Sequence, residues 1–174
     1  KVKDCLHEHR PAEKKHHYDA GDEPPSPVDA FGWSMGVQIC SDMNRPAGSQ
    51  LLAARGCECI LGPRSTEAAT YWKWRPVFIA NALTCCTYML SVNRPGPEQD
   101  VLIGGPSIAV APTGEVLLET TDPIGLVTLD RDVLEQARRL IASEVEAFSA
   151  QVNVNITEVD ASEAKMLEML GYTE

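Results

Sequence analysis

Cys40 is the residue whose type and setting best suit chemistry. It closes a short apolar run, Gly36-Val37-Gln38-Ile39-Cys40, fit for a buried strand, and a turn-forming stretch, Ser41-Asp42-Met43-Asn44-Arg45-Pro46, follows it. Pro46 is well placed to open a helix, because the N–H it lacks is one that a first turn leaves unpaired. A thiol at the end of a strand and ahead of a helix N-terminus meets partial positive charge there, which favours the nucleophilic thiolate. Two readings of the position stand on spacing alone: a nucleophile, or a small apolar core residue. The other cysteines read differently. Cys57-Glu58-Cys59 and Cys85-Cys86 are awkwardly spaced for pairing, so free thiols are expected, and the apolar surroundings of Cys57, Cys59 and Cys85 read as core. The four histidines, His7, His9, His16 and His17, gather near Cys5. Imidazole and thiolate suit zinc, but neither a Cys-x2-Cys nor a His-x3-His spacing is present, so the segment reads as a solvated loop and no metal is assigned.

The elements around Cys40 must position it. Residues 1–30 are polar, with Pro24-Pro25-Ser26-Pro27 as a stiff loop. Leu51, Leu52 and Ala54 belong to the helix opened by Pro46, and Gly56 closes it. Cys59-Ile60-Leu61 predicts a second buried strand, 68–83 a longer helix, and 88–92 a third strand. Ile108–Ala111 and Glu115–Glu119 flank Pro112-Thr113-Gly114, a hairpin with Gly at a left-handed position. Gly125–Leu129 predicts a further strand, and Asp130 or Asp132 caps a helix over 133–148. Trp72 and Trp74 fall on the longer helix, where packing is favoured over lining a pocket. Strand, helix, strand, helix, strand and hairpin make an α/β pattern with a parallel component, whose sites lie at the carboxyl ends of strands.

The chain has 174 residues, 44% of them hydrophobic, and a net charge of −10. That is enough chain for one domain with its own core. Phosphate neutralisation needs a basic face, so a nucleic-acid binder is not expected. No apolar run suits a membrane span or a secretory signal, and the expected setting is cytoplasmic. Residues 140–174 form an acidic extension in which Val152–Ile156 alternates like a strand and Asp160-Ala161-Ser162-Glu163 caps a short helix.

Several blocks in order resemble the nitrilase superfamily, the carbon–nitrogen hydrolases. They are Gly36-Val37-Gln38-Ile39-Cys40-Ser41-Asp42, Arg45-Pro46, Leu51-Leu52, Arg55-Gly56 and Ile60-Leu61-x-Pro63. Downstream lie Ala80-Asn81-Ala82, Val92-Asn93-Arg94-x-Gly96, Gly104-Gly105-Pro106-Ser107-Ile108 and Pro112-x-Gly114-Glu115-Val116-Leu117. The resemblance covers about residues 3 to 139. It implies an α/β fold, the C-terminal part of the α-β-β-α sandwich with a mixed sheet, as a hydrolase domain over 1–139. It also implies amide or nitrile hydrolysis by a Glu–Lys–Cys set, in which a carboxylate takes the thiol proton, an ammonium steadies the oxyanion and a thioester forms.

Carried over by position, Cys40 matches the nucleophile and Lys3 the lysine, in Lys3-Asp4-Cys5-Leu6, with Lys1 as its competitor. Cys5 stands where the family usually has His. Glu13 best resembles a second glutamate that lines the family's site, ahead of Glu8. Cys40-Ser41-Asp42 looks more like the amidase and carbamoylase branches than true nitrilases. Arg45 is a candidate for holding a substrate carboxylate, or simply an exposed helix-start arginine, and Asp42, beside the nucleophile, is the second substrate-binding candidate. The general-base glutamate is expected upstream of the lysine, beyond this chain, so the domain reads as N-terminally incomplete. Neither Asp42 nor Glu67 sits in the base position. The resemblance implies no metal or organic cofactor, a small amide or carbamoyl substrate, and a homo-oligomer. A hydrolase is weighed against a catalytically silent homologue that acts in assembly.

Overall fold

The computed structural model describes residues 23–96 and 102–151. Six strands form one sheet in chain order: β1 (Val28–Ala30), β2 (Trp33–Val37), β3 (Cys59–Arg64), β4 (Tyr88–Asn93), β5 (Ser107–Val110) and β6 (Val116–Thr120). β2, β3 and β4 run parallel, with Gly36, Ile60 and Met89 in register, whereas β1 and the β5–β6 hairpin add antiparallel edges. The mixed α/β sheet expected from the sequence is therefore present.

Parallel neighbours require crossovers, and two helices provide them. α1 (Pro46–Ala54) joins β2 to β3 with Pro46 in its first turn, and α2 (Tyr71–Cys85) joins β3 to β4. Both cover one face of the sheet. Met43, Leu52, Ile60, Phe78, Ala82, Met89, Ile108 and Val110 make that core, each no more than 2% exposed. α3 (Arg131–Gln151) begins at Asp130, whose carboxylate accepts the Asp132 N–H at 2.8 Å. The boundary between two compact units falls inside this helix, between Arg138 and Arg139. Among the described residues no helix is long and apolar enough to cross a membrane.

Four expectations are corrected. Strand β2 ends at Val37, so Cys40 lies past the strand rather than in it. The polar stretch before Phe31 contains β1, turned onto β2 through Phe31 (φ 55°) and Gly32 (φ 78°), both left-handed as a tight hairpin of this hand requires. Residues 125–129 form no strand. Leu126 and Thr128 are exposed while Val127 and Leu129 are half-buried, so the alternation is real, but no strand pairs with it among the described residues. Trp74 packs against the core as expected, whereas Trp72 is 71% exposed.

Candidate active site

Parallel strands β2, β3 and β4 end together, and the chain segments leaving them build one polar region. The Gln38 N–H donates to the Leu61 carbonyl at 3.0 Å and carries the pairing one residue past β2. Beyond Ile39 the chain enters a 3-10 turn over Cys40–Asn44. Cys40 opens it with φ 50°, a left-handed conformation that L-residues with a side chain seldom adopt. Such strain persists only where surrounding contacts fix it. Here the Asp42 carboxylate accepts the Ile39 N–H at 3.3 Å, and the Asp42 N–H donates to the Ile39 carbonyl at 3.0 Å. The Asn81 amide of α2 donates to the Met43 carbonyl at 2.8 Å, and the buried Gln38 accepts from the Ser49 hydroxyl at 2.5 Å.

Cys40 is half-buried, whereas Cys57, Cys59, Cys85 and Cys86 are buried, and all five are free thiols. Burial pushes the Cys59 thiol up to about 12, with Cys57 and Glu58 adding to the effect. The thiols of Cys57, Cys85 and Cys86 are raised as well, in each case mainly by burial. These four groups stay protonated and inert near neutrality, which is the core role the sequence suggested for Cys57, Cys59 and Cys85.

Of the other sequence-derived candidates, Asp42 lies in the Cys40 turn. Its second carboxylate oxygen is buried with no hydrogen-bond partner among the described residues. Arg45 is exposed at the junction of the turn and α1, and its N–H donates to the Asp42 carbonyl at 3.0 Å. Glu67 is exposed. Lys3, Glu13 and the Cys5–histidine segment lie outside the described residues. Within those residues, no three His, Cys, Asp or Glu side chains gather as metal ligands would.

Two further groups stand at this end of the sheet: Asn93, which belongs to one of the motif blocks but had no role assigned to it, and Arg64, which belongs to none. Asn93, at the end of β4, donates to the Thr66 and Gly105 carbonyls at 3.0 and 2.8 Å and accepts the Thr66 N–H at 2.9 Å. It thereby joins the loops that leave β3 and β4. Arg64, at the end of β3, is only 6% exposed. The one clue to it in the sequence is a charged residue ending the otherwise apolar run from Cys59 to Pro63.

The carbon–nitrogen hydrolase family pattern matches residues 5–139. A hydrolase from the pqqF 5′ region of Pseudomonas protegens is 28% identical over 125 residues, covering 71% of this chain and 44% of its own length. An (R)-stereoselective amidase from a Pseudomonas species is 34% identical over 123 residues, covering 66% of this chain and 45% of its own. The chain thus spans less than half the length of these two relatives. A carbon–nitrogen hydrolase from Helicobacter pylori G27 superposes with a TM-score of 0.64 at 19% identity, over 72% of this chain and 50% of that one. At that identity the likeness is one of fold.

Proposed function

Because the chain belongs to the carbon–nitrogen hydrolase family, within the nitrilase superfamily, we propose that it carries the thiol centre of an enzyme that hydrolyses a linear amide or an N-carbamoyl compound. The observation that carries this reading is Cys40. Among the described cysteines it is partly accessible where the other four are buried, and it is held in left-handed backbone at the carboxyl ends of parallel strands. The similarity to an (R)-stereoselective amidase favours an amide over a nitrile.

In this scheme the Cys40 sulfur adds to the substrate carbonyl, and the carbon–nitrogen bond then breaks. Ammonia or an amine leaves with a proton, and the acyl group stays on sulfur as a thioester. Water adds to the thioester, giving the acid and restoring the thiol. Lys3 steadies the oxyanion together with the backbone N–H that follows Cys40, Glu13 lines the site, and Arg45 meets a substrate carboxylate. Asp42 holds the turn, and the carboxylate that takes the thiol proton is neither Asp42 nor Glu67. We assign this chemistry to residues 1–139, with 140–174 as an acidic extension, and expect a homo-oligomer.

The test is to incubate the full chain with a panel of small linear amides and N-carbamoyl amino acids, quench it in acid and map adducts by peptide mass spectrometry. An acyl group on the Cys40 peptide, absent in Cys40→Ala, is the expected result. A folded chain that accumulates no adduct on Cys40 with any of the panel overturns the reading.

A further inference from the structure

Asn81 sits in the Ala80-Asn81-Ala82 block, which the scheme above leaves without a role. It lies on α2 and is only 4% exposed, beside Phe78 and Ala82, which are sealed in the core. A polar side chain buried there needs a partner, and its amide donates to the Met43 carbonyl at 2.8 Å.

Met43 needs that donor as much as Asn81 needs the acceptor. In the 3-10 turn an N–H bonds the carbonyl three residues back. The Asp42 N–H donates to the Ile39 carbonyl and the Arg45 N–H to the Asp42 carbonyl, both at 3.0 Å. The next rung would run from residue 46 to Met43, but Pro46 has no N–H to give. Met43 is 1% exposed, so solvent does not serve its carbonyl either. Asn81 supplies from another element the bond that the proline removes.

This bond bears on the backbone of Cys40. A left-handed residue with a side chain persists only where its surroundings over-determine it, and Cys40 has φ 50°. The bonds between Ile39 and Asp42 close around Cys40, but they are internal to the turn and travel with it. Met43 anchors the turn outward at two points. Its sulfur packs on Gly62 of β3, so closely that a methyl group there would overlap it, and its carbonyl rests on Asn81. Apolar packing fixes a position, whereas a hydrogen bond also fixes the direction of the peptide plane. One such bond returns about what burying an amide costs, so the contribution of Asn81 lies in geometry more than in stability.

We propose that Asn81 is a positioning residue for the thiol: by holding the Met43 carbonyl it keeps the turn closed around Cys40 and the thiol in its left-handed, half-buried setting.

The proposal rests on Cys40 as the reacting thiol, but its test uses no substrate, so the two readings fail separately. The full chain is prepared with ¹³C-labelled cysteine, and the Cys40 signal is the one that disappears in Cys40→Ala. Its Cα and Cβ shifts in the wild-type chain are expected at left-handed values. Asn81→Leu keeps the volume and removes the donor. It should move those shifts towards random-coil values while the Cys59 and Cys85 signals stay in place. The released thiol should then be alkylated by iodoacetamide about five-fold faster, a change on the scale of one hydrogen bond, with Cys59 still protected. A merely structural asparagine would lower the urea midpoint and leave the Cys40 signal of the folded chain unmoved, and that result overturns the proposal. Wild-type Cys40 shifts outside the left-handed range overturn it as well, even if the leucine variant fails to fold.

Discussion

The two ends of the parallel strands are built from similar residues for opposite purposes. At the amino end, Cys59 and Tyr88 pack with Leu134 in the first turn of α3, and Cys57 is buried in the core beneath α1 and α2. There the Tyr88 hydroxyl donates to the Asp130 carbonyl at 2.8 Å and Arg138 to the Cys57 carbonyl at 2.6 Å. Arg131 adds an ion pair to Glu58 at 2.6 Å and lies 4.5 Å from the Trp33 ring centre. At the carboxyl end, Cys40 is half-buried on left-handed backbone, and Arg64, which ends β3, is buried against Tyr71 and Phe78 of α2. Desolvation makes a thiol inert at one end, whereas at the other Cys40 stays partly accessible on left-handed backbone. Residue type therefore says little about a cysteine here, and its place along the strand says much.

Exchanging the two kinds of cysteine is the most severe test of that contrast. Cys40→Ala should abolish the acyl adduct while leaving the urea unfolding midpoint nearly unchanged. Cys59→Ser should keep the adduct but cost about 1–3 kcal/mol, because a hydroxyl is placed among apolar neighbours. Equal losses of stability in both variants would erase the distinction. Next in size is accessibility. With a neutral alkylating reagent, Cys40 in the folded chain should react roughly 100-fold faster than Cys59, and denaturing urea should bring the two rates together, as timed peptide mapping can read.

A pH series sharpens the amino end further. The folded Cys59 thiol is raised from 9.0 to about 12, so the native state holds a proton that the unfolded chain gives up first. Its contribution to stability is complete below pH 9 and is lost as pH climbs from 9 towards 12. Urea midpoints should fall across that window, by at most about 1.4 kcal/mol per pH unit for such a thiol, and fall less steeply in Cys59→Ala. Gly48→Ala probes the other end, because its methyl group would stand 2.2 Å from the Gln38 amide nitrogen. Displacing Gln38 should cost about 1 kcal/mol and weaken the bond to Ser49. The smallest effect belongs to Trp72, whose exposed ring should be removable within about 0.5 kcal/mol by thermal melting.

Local signals in the sequence carried much of the architecture. Pro46 at the start of α1, Gly56 after its end, the turn at Gly114 and the Asp130 cap each act within a few residues, where backbone chemistry is nearly independent of the rest of the fold. The family blocks placed Cys40 and Asn93 in their order along the chain. Signals that depend on a partner failed. Residues 125–129 alternate like a strand but find no edge to pair with, whereas the polar Val28–Ala30 becomes β1 because β2 offers it one.

By itself the sequence determined the family, the run of strands and helices, and the thiol most suited to chemistry. Only the tertiary structure decided how Cys40 sits past the end of β2, how the Cys57–Cys59 segment is dried out, and that Arg64 is buried against Tyr71 and Phe78 of α2. Those properties are set by burial and by fields between residues far apart in the chain. Desolvation and charge coupling depend on distance in space, which no local pattern of residues encodes.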